Sequence, residues 1–300
     1  FGNLVPHLKT LKVDNNLLVN INELSLFPEL EVFSAADNGI LEFPKLSNQN
    51  SLRTINLANN KIETLKNLNL TKLLTLDVSN NPINNNGLNC GIQPINSLQH
   101  LYISNTNLTR CLSISTLFPN LTTIDLRSTK INDLNDLLSF IRQMKNLKVL
   151  DVRFTPLTLD LYPNKDLLTS AQSFLDNNSS SIQDDQIQPY DSIEVYNSKY
   201  PKNSNERIQF RNQILNNAVS KLQTLDHIKI SGNELDLIKK NQVEDNVELN
   251  NSSFAQTRSK TQISGDNLNS TQIQSPSNQK SLHFAQSPIR SNQNTSFDLN

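Results

Sequence analysis

The chain has 300 residues, a formal net charge of −1 at pH 7 and a hydrophobic content of 36%. The length is enough for about two domains. The near-neutral charge favours neither nucleic acid nor an acidic membrane as a partner. No run of about 18 apolar residues occurs, so the sequence predicts no membrane span. Because the chain starts with Phe1, we expect it to be a fragment, and its start is uninformative about targeting.

The first half of the chain repeats one template, L-x-x-L-x-L-x-x-N-x-L. The third copy runs from Leu52 to Ile62 and carries Asn60 at the asparagine position. Seven copies begin at intervals of 22, 22, 21, 25, 23 and 26 residues. Self-similarity at such a period indicates a repeat architecture, in which neighbouring repeats bury each other's apolar faces.

Each copy combines a short strand with a turn. The central x-L-x-L-x alternates as expected for a strand with one buried face. The polar residue at the following bend is expected to point inwards, where its amide must be hydrogen-bonded. We predict that these residues form a ladder, tied less tightly where threonine replaces asparagine. The ladder positions are Asn16, Asn38, Asn60, Asn81, Thr106, Thr129 and Thr155.

Seven copies of this regularity resemble a leucine-rich repeat protein over about residues 1–160. The resemblance implies an α/β solenoid with parallel strands on its concave face. The short repeats, without cysteine clusters, are similar to the intracellular group typified by regulatory subunits of protein phosphatase 1 and the leucine-rich repeat light chain of axonemal dynein. Cys90 and Cys111 lie one repeat apart and could approach each other, but we favour two buried thiols in a reducing, cytoplasmic compartment.

The chain beyond the repeats changes in composition. Residues 161–205 are polar, contain "DNNSSSIQDDQ" and are expected to form an irregular or disordered insert. Residues 206–235 are predicted to form a helix–strand cap that covers the end of the repeat stack. On the helix, Phe210, Ile214, Ala218 and Leu222 fall four apart on one face. The strand-like unit that follows contains Leu222, Leu225, Ile228 and Ile230.

The cap resembles that of intracellular leucine-rich repeat proteins, in which an amphipathic helix leads into Leu-x-x-Leu-Asp-Gly. Here Leu222 to His227 match this motif, with His227 in place of glycine, so we expect the turn to differ. The last repeat and the cap together are similar to centriolin and to the spindle-pole scaffolds of septation-initiation and mitotic-exit networks. Those scaffolds have Leu-Arg-Asn where this chain has Val-Arg-Phe. The match involves Asp151, Val152, Arg153, Pro156, Leu157, Tyr162 and Pro163.

Residues 236–300 form a tail rich in asparagine, glutamine and serine, which we expect to be disordered. Ser275 and Ser287 each precede a proline and are candidate phosphorylation sites, although a serine-rich tail produces such pairs by chance.

No catalytic constellation is present in the sequence. The six glycines form no phosphate-binding motif, and the four histidines lack metal-ligand spacing. Aspartates such as Asp77 and Asp125 recur at one template position, which places them in a row on a solvated face. We therefore predict no enzyme activity, no metal and no cofactor.

The outward strand positions at the C-terminal end of the concave face are the candidate binding site. Tyrosine and arginine are enriched among residues that dominate protein interfaces. Alternatively, the aspartates pair with the arginines two residues later in a structural ladder of little energetic weight. The candidate residues are His100, Tyr102, Asp125, Arg127, Asp151, Arg153 and Phe154.

Three functions fit this sequence. The first is a non-enzymatic scaffold that binds a protein partner, with a location at a centrosome, spindle pole or basal body implied by the resemblance. The second is a regulatory subunit of an enzyme such as a protein phosphatase. The third is a ribonucleoprotein component, because a small nuclear ribonucleoprotein subunit has a similar stack and cap. The concave rows are mixed in charge and lack a basic stripe, which argues against direct RNA contact.

Overall fold

A computed structural model describes residues 7–46, 49–163, 189–218 and 222–236, together with residues 238 and 240. Nine strands of the described chain form one sheet, in which strand order follows chain order. The strands are β1 (Thr10–Lys12), β2 (Val32–Ser34), β3 (Thr54–Asn56), β4 (Thr75–Asp77), β5 (His100–Tyr102), β6 (Thr123–Asp125), β7 (Val149–Asp151), β8 (Thr224–Leu225) and β9 (Ile228–Lys229). The strands from β1 to β8 are parallel, and β9 is antiparallel to β8. The predicted α/β leucine-rich repeat solenoid is confirmed.

The register of the sheet follows the template. The central residue of each strand from β2 to β7, such as Phe33, Ile55 or Leu76, is buried and pairs with its counterpart in the neighbouring repeat. The next strand position faces the opposite, concave side. The row along that position consists of Lys12, Ser34, Asn56, Asp77, Tyr102, Asp125 and Asp151.

The connections between strands lie opposite the concave face and become more helical towards the C-terminal end. The first contains a 3₁₀ helix, Asn22–Leu26, and later ones contain α1 (Asn85–Leu88), α2 (Leu112–Leu117) and α3 (Leu134–Gln143). Helix α3 begins after Asp133, whose carboxylate accepts hydrogen bonds from the amides of Asn135 and Asp136, as an N-cap should. Two further helices, α4 (Ile193–Lys199) and α5 (Ser204–Asn217), belong to the cap. Helix α2 packs on α3, and α3 packs on α5.

The asparagine ladder joins neighbouring repeats through side-chain amides. The Asn60 Nδ2 group donates to the carbonyl of Ala35 in the preceding repeat at 2.9 Å, and to Leu57 and Ala58 in its own repeat. Its Oδ1 atom accepts from the amide of Ile40 at 3.0 Å. Asn38 and Asn81 repeat this pattern, so each satisfies backbone groups in two repeats.

Threonine at the ladder position bonds within its own repeat. The hydroxyls of Thr106, Thr129 and Thr155 donate to the carbonyl three residues earlier, at 2.8–3.0 Å. None of these bonds reaches the preceding repeat, because the threonine side chain is shorter and has a single hydrogen to donate. Asn16, in the first repeat, is exposed and donates only to carbonyls of its own repeat, Val13 and Asp14.

Replacing one buried ladder asparagine by threonine tests the inter-repeat bonds. In an Asn60→Thr variant, the hydroxyl can keep a bond within its repeat, while the carbonyl of Ala35 and the amide of Ile40 lose their partners. We expect the free energy of unfolding to fall by about 2 kcal/mol, measured by urea denaturation. The matched control is Asn16→Thr, with an expected loss below about 1 kcal/mol. Equal losses in the two variants would contradict an inter-repeat role.

Each repeat also contains a residue in the left-handed backbone region, immediately before the ladder position. Asparagine and aspartate tolerate this region better than most residues, which explains their frequency there. Phe154 is the bulky exception, with φ of 62°. The others in the repeats are Asn15, Asp37, Asn59, Asn80, Asn105 and Ser128, at φ of 53–56°.

The region predicted as a polar insert, residues 161–205, is partly folded. Residues 164–188 lie outside the described chain, but residues 189–205 contain α4 and the start of α5. Ile193 and Tyr196 of α4 are buried against Tyr162 and Ile228. The segment was expected to be irregular, but a helix forms because the apolar side chains of α4 pack against the hairpin at the end of the sheet.

The cap also differs in detail from the prediction. Helix α5 stops at Asn217, so Ala218 is its C-cap and Leu222 lies beyond it. Residues 222–230 then form the hairpin of β8 and β9, and residues 232–236 are helical. The predicted tail, including Ser275 and Ser287, lies outside the described residues apart from residues 236, 238 and 240.

The hairpin between β8 and β9 turns through Asp226 and His227. Both residues are left-handed, with φ of 54° and 61°, as a two-residue type I′ hairpin requires. The expectation that histidine in place of glycine would change this turn is therefore wrong. His227 adopts the left-handed conformation itself, and its ring lies edge-on to Tyr190 with centroids 6.4 Å apart.

Candidate functional site

The candidate concave residues lie on three neighbouring strands or within three residues after them. His100 and Tyr102 are on β5, while Asp125 and Asp151 end β6 and β7. The parallel register places Tyr102, Asp125 and Asp151 side by side. We call the seven candidate residues of this region the C-terminal patch. They are His100, Tyr102, Asp125, Arg127, Asp151, Arg153 and Phe154.

The aspartates and arginines of the C-terminal patch form ion pairs. The guanidinium of Arg127 binds both carboxylate oxygens of Asp125, at 2.9 and 2.6 Å, and Nε lies 3.6 Å from Asp151. Arg153 binds Asp151 through Nε and Nη2, the latter at 2.6 Å. The carboxylates also accept the amides of Arg127 and Arg153. The structural ladder considered for these residues is therefore formed.

Burial divides the patch into two groups. Asp125, Asp151 and Arg153 are at most 9% exposed. Side chains buried to this degree are not presented to a partner, which corrects their prediction as contact residues. The accessible part of the patch consists of the half-buried His100, Tyr102, Arg127 and Phe154. The guanidinium of Arg153 lies 6.0 Å from the centre of the Phe154 ring, at the outer limit for attraction between a cation and a ring.

Burial and neighbouring charges determine the protonation states of the ionisable groups in the patch. Burial acts to raise the pKa of Asp151, but Arg153 and Arg127 outweigh it, and the net shift is downwards. The carboxylate is thus ionised in the folded protein at neutral pH. Burial lowers the pKa of His100, so this imidazole is neutral at pH 7 and can act as both donor and acceptor. The accessible surface therefore offers neutral polar, aromatic and one guanidinium group.

A second polar network lies behind the patch, where the cap meets the last repeat. Asp226 is completely buried and accepts hydrogen bonds from the amide of Val152 at 2.8 Å and from the hydroxyl of Tyr162. Arg211, also completely buried, donates to both carboxylate oxygens of Glu234 at 2.8 and 3.1 Å. Sequence analysis did not identify these residues as a network.

Burial and the nearby charge of Asp151 raise the pKa of Asp226 from 3.8 to about 6. The same burial, reinforced by Asp226, raises the pKa of Tyr162, so that the tyrosine remains the donor. Arg153 and Arg211 also lie near this pair and oppose part of the shift. The folded protein consequently binds a proton at Asp226 more tightly than the unfolded chain does.

We predict that the free energy of unfolding depends on pH through Asp226. Because the folded pKa is raised, stability is greatest below the unfolded value and falls as pH rises from about 4 to about 6, by on the order of 2–3 kcal/mol. An Asp226→Asn variant keeps the left-handed turn and removes the titration. We expect its urea-unfolding free energy to lack this fall and to exceed that of the parent at pH 7.

The readout is the difference between parent and variant at each pH. Taking this difference cancels the contribution of His100, whose lowered pKa gives the opposite slope in part of the same range. The pKa of Asp151 lies below 3.8, so this group titrates outside the range compared. A constant difference from pH 4 to pH 7 would contradict the assignment to Asp226.

Cys90 and Cys111 are both free thiols. Burial raises the pKa of Cys111 far above the usual range of thiols, with Asp136 as the next contribution, so this sulfur is unreactive. Cys90 is half-buried and its thiol donates to the carbonyl of Gly87. The described residues thus hold two unpaired thiols, of which Cys111 is buried as predicted while Cys90 is only half-buried.

None of the helices in the described part of the chain has the length and apolar character of a membrane-spanning segment. Among the same residues, no group of three or more histidine, cysteine, aspartate or glutamate side chains is placed to hold a metal ion.

Comparison with known proteins gives a relative and several structural neighbours, while no protein-family model matches the chain. The transforming growth factor beta activator LRRC33 of Danio rerio is 29% identical over 160 residues, covering 50% of this chain and 23% of that protein. The chain therefore spans less than a quarter of the length of this relative.

Among solved structures, an internalin, InlF, from Listeria monocytogenes is 24% identical, with a TM-score of 0.46, over 51% of this chain and 44% of that one. The leucine-rich repeat domain of LRIM1 is 21% identical, with a TM-score of 0.40, over 51% of this chain and 48% of that one. The in-register template and the parallel strands give this chain the fold of a leucine-rich repeat protein.

Proposed function

We propose that the chain is a non-enzymatic scaffold that binds a protein partner through the accessible part of the C-terminal patch. The main supporting observation is that Tyr102 and Arg127 are half-exposed on adjacent repeats. The guanidinium of Arg127 is held in place by its contacts with Asp125 and Asp151. A side chain fixed in this way loses little conformational entropy on binding. Tyrosine and arginine are also the residue types enriched among interface hot spots.

The composition of the rest of the concave face supports placing the binding site at its C-terminal end. The second outward row carries small side chains in the second to fifth copies, such as Ala36, Ala58 and Ser79. In the last two copies it carries Arg127, which is half-exposed, and Arg153, which is buried. Small side chains give a partner little area to bury, whereas aromatic and guanidinium groups give much. We therefore assign specificity to repeats five to seven rather than to the whole face.

The test is affinity capture from cell extract with the full chain. We expect a protein captured by the parent to be lost with a His100→Ala/Tyr102→Ala variant, which leaves every ion pair intact. An Arg127→Ala variant should also lose the protein, provided circular dichroism shows it folded. The control is Lys12→Ala/Thr54→Ala, at the N-terminal end of the same face, which should retain capture. Identical capture by all four proteins would overturn the proposal.

We place this scaffold inside the cell, at a centrosome, spindle pole or basal body. Support comes from the two free thiols and from the resemblance of the last repeat and cap to spindle-pole scaffolds. A fluorescent fusion of the full chain should co-localise with a centrosomal marker. Identification of the captured protein separates the alternatives, since a phosphatase catalytic subunit would indicate a regulatory subunit and a spliceosomal protein a ribonucleoprotein component.

A further inference from the structure

The side of the first repeat that points away from β2, which we call the N-terminal face, is apolar and incompletely covered. Leu17 is 97% exposed. Its equivalent in the second repeat is Gly39, where a Cβ atom would point back at the first repeat, 3.5 Å from the carbonyl oxygen of Leu18. Leu17 is therefore directed to the N-terminal side of β1. The half-buried template residues of this repeat are Leu8, Leu11, Val13 and Leu18, whose equivalents Leu30, Phe33, Ala35 and Ile40 are at most 1% exposed.

The backbone of β1 has unused hydrogen-bonding groups on the same side. In the third repeat, the amides of Arg53 and Thr54 both donate to the carbonyl of Glu31 in the preceding repeat, at 2.9 and 3.1 Å. The equivalent amides of the first repeat, those of Lys9 and Thr10, have no acceptor among the described residues. This edge of the described sheet thus lacks the parallel strand that precedes each strand from β2 to β8.

Asn16 likewise lacks the inter-repeat half of the ladder pattern. The Oδ1 atom of Asn38 accepts the amide of Leu18 in the preceding repeat at 3.0 Å, and its Nδ2 group donates to the carbonyl of Val13 in the same repeat at 3.0 Å. Asn16 makes only the bonds within its own repeat, although an asparagine side chain can make both sets. The first repeat therefore carries a ladder residue of the kind that joins two repeats.

Terminal repeats of a solenoid carry a polar outer face, because an apolar one would be left in water. At its C-terminal end this protein covers the stack with α5 and the hairpin of β8 and β9. The first repeat has no comparable cover among the described residues, and its template positions are as apolar as those of the inner repeats. The N-terminal face consequently has the character of an interior surface.

The sequence immediately ahead of the first repeat also follows the pattern of an inner one. Leu4-Val5-Pro6 matches Leu26-Phe27-Pro28, which ends the connection to β2, and Leu117-Phe118-Pro119, which ends the connection to β6. In all three places the first template leucine follows two residues after the proline. The triplet ahead of β1 is thus that of a connection arriving from another repeat.

We propose that the N-terminal face is an inter-repeat interface, which a further leucine-rich repeat of the same polypeptide covers on the N-terminal side of β1. The unused amides of Lys9 and Thr10 and the Oδ1 atom of Asn16 fit a parallel strand followed by a turn, which is the unit that the stack already repeats. A second copy of the chain does not offer this unit. A twofold axis would set β1 antiparallel to its copy, and β9, at the other edge of the described sheet, is itself antiparallel to β8.

The first test adds such a repeat to the full chain. A copy of residues 30–44 placed directly before Phe1 begins 22 residues ahead of Leu8, which is the spacing between the first three repeats. We expect amide hydrogen exchange at Lys9 and Thr10 to slow by about ten-fold or more, because both amides gain an acceptor. The control extension has the same residues in scrambled order and should exchange like the parent. Equal exchange rates in all three proteins, or equal slowing by both extensions, would overturn the proposal.

An Asn16→Thr substitution gives a second readout of the same interface. In the parent it removes no inter-repeat bond, so the urea midpoint should change little. In the extended protein Asn16 bonds to the added repeat, and the substitution should lower the midpoint as much as Asn60→Thr lowers that of the parent. A loss in the extended protein as small as that in the parent would contradict the proposed interface.

The origin of the repeat is tested by the coding sequence on the 5′ side of the Phe1 codon. We expect this sequence to encode the template, with its first leucine 21–26 residues ahead of Leu8, as between the other repeats. An initiation codon or a sequence without the template in this interval would overturn the assignment to the same polypeptide. The C-terminal patch lies at the other end of the sheet, so the proposed concave interface is tested separately.

Discussion

An Arg211→Met variant is expected to lose about 3–5 kcal/mol of unfolding free energy, measured by urea denaturation at pH 7. Arg211 on α5 is completely buried, and it joins three elements of the cap. Its Nε and Nη2 atoms bind the carboxylate of Glu234, and Nη1 donates to the carbonyl of Leu225 at 2.8 Å. A methionine side chain occupies a volume similar to that of Arg211, but it leaves the buried carboxylate of Glu234 without a cationic partner.

The reason for the size of this effect is the charge left behind rather than the loss of the pair itself. A double variant, Arg211→Met/Glu234→Gln, removes that charge and should recover part of the loss. We expect the double variant to be more stable than Arg211→Met alone. If the single and double variants unfold at the same urea concentration, the isolated carboxylate is not the cause.

A Gly87→Ala variant is expected to lose about 3 kcal/mol through a backbone clash. A Cβ atom at Gly87 would lie 1.9 Å from the carbonyl oxygen of Glu63 and 3.1 Å from its carbon. The two repeats cannot move apart cheaply, since the carbonyl of Gly87 accepts the amide of Leu65 at 2.9 Å. An alanine side chain at position 87 therefore requires the main chain to move, either at Glu63 or at position 87 itself.

The matched control for this substitution is Gly39→Ala. A Cβ atom at Gly39 would lie 3.5 Å from the carbonyl oxygen of Leu18, which is ordinary contact. We expect thermal unfolding of this variant within a few degrees of the parent, and a clear drop for Gly87→Ala. Similar melting temperatures for the two variants would show that the connection around α1 yields more easily than its contacts suggest.

The repeats could be predicted from the sequence because their pattern is local and repeated. The template predicts which strand residues are buried, and its equivalent positions predict the register between Phe33, Ile55 and Leu76, although the repeats differ in length. The difference between asparagine and threonine on the ladder also follows from the number of donors on each side chain.

The cap was harder to predict, since its structure depends on contacts distant in sequence. Ile193, Tyr196 and Tyr200 are spaced by three and four residues, a helical signal that was overlooked within a polar segment. His227 shows the limit of a motif: a missing glycine does not abolish a left-handed turn when both flanking strands are paired. The burial of Arg153 likewise depends on the cap that covers it.

The unequal distribution of helices opposite the sheet has a geometric consequence. Neighbouring strands are about 4.8 Å apart, whereas packed helices need about 8–10 Å between their axes. Wherever α2, α3 and α5 pack in sequence, the outer side is wider than the sheet, so the strands must fan round a smaller radius of curvature. We therefore expect the segment from β5 to β7 to be the most strongly curved part of the sheet, with side chains on its inner side converging. If the proposed binding role holds, we expect this surface to accept a narrow partner, such as a single helix or a projecting loop.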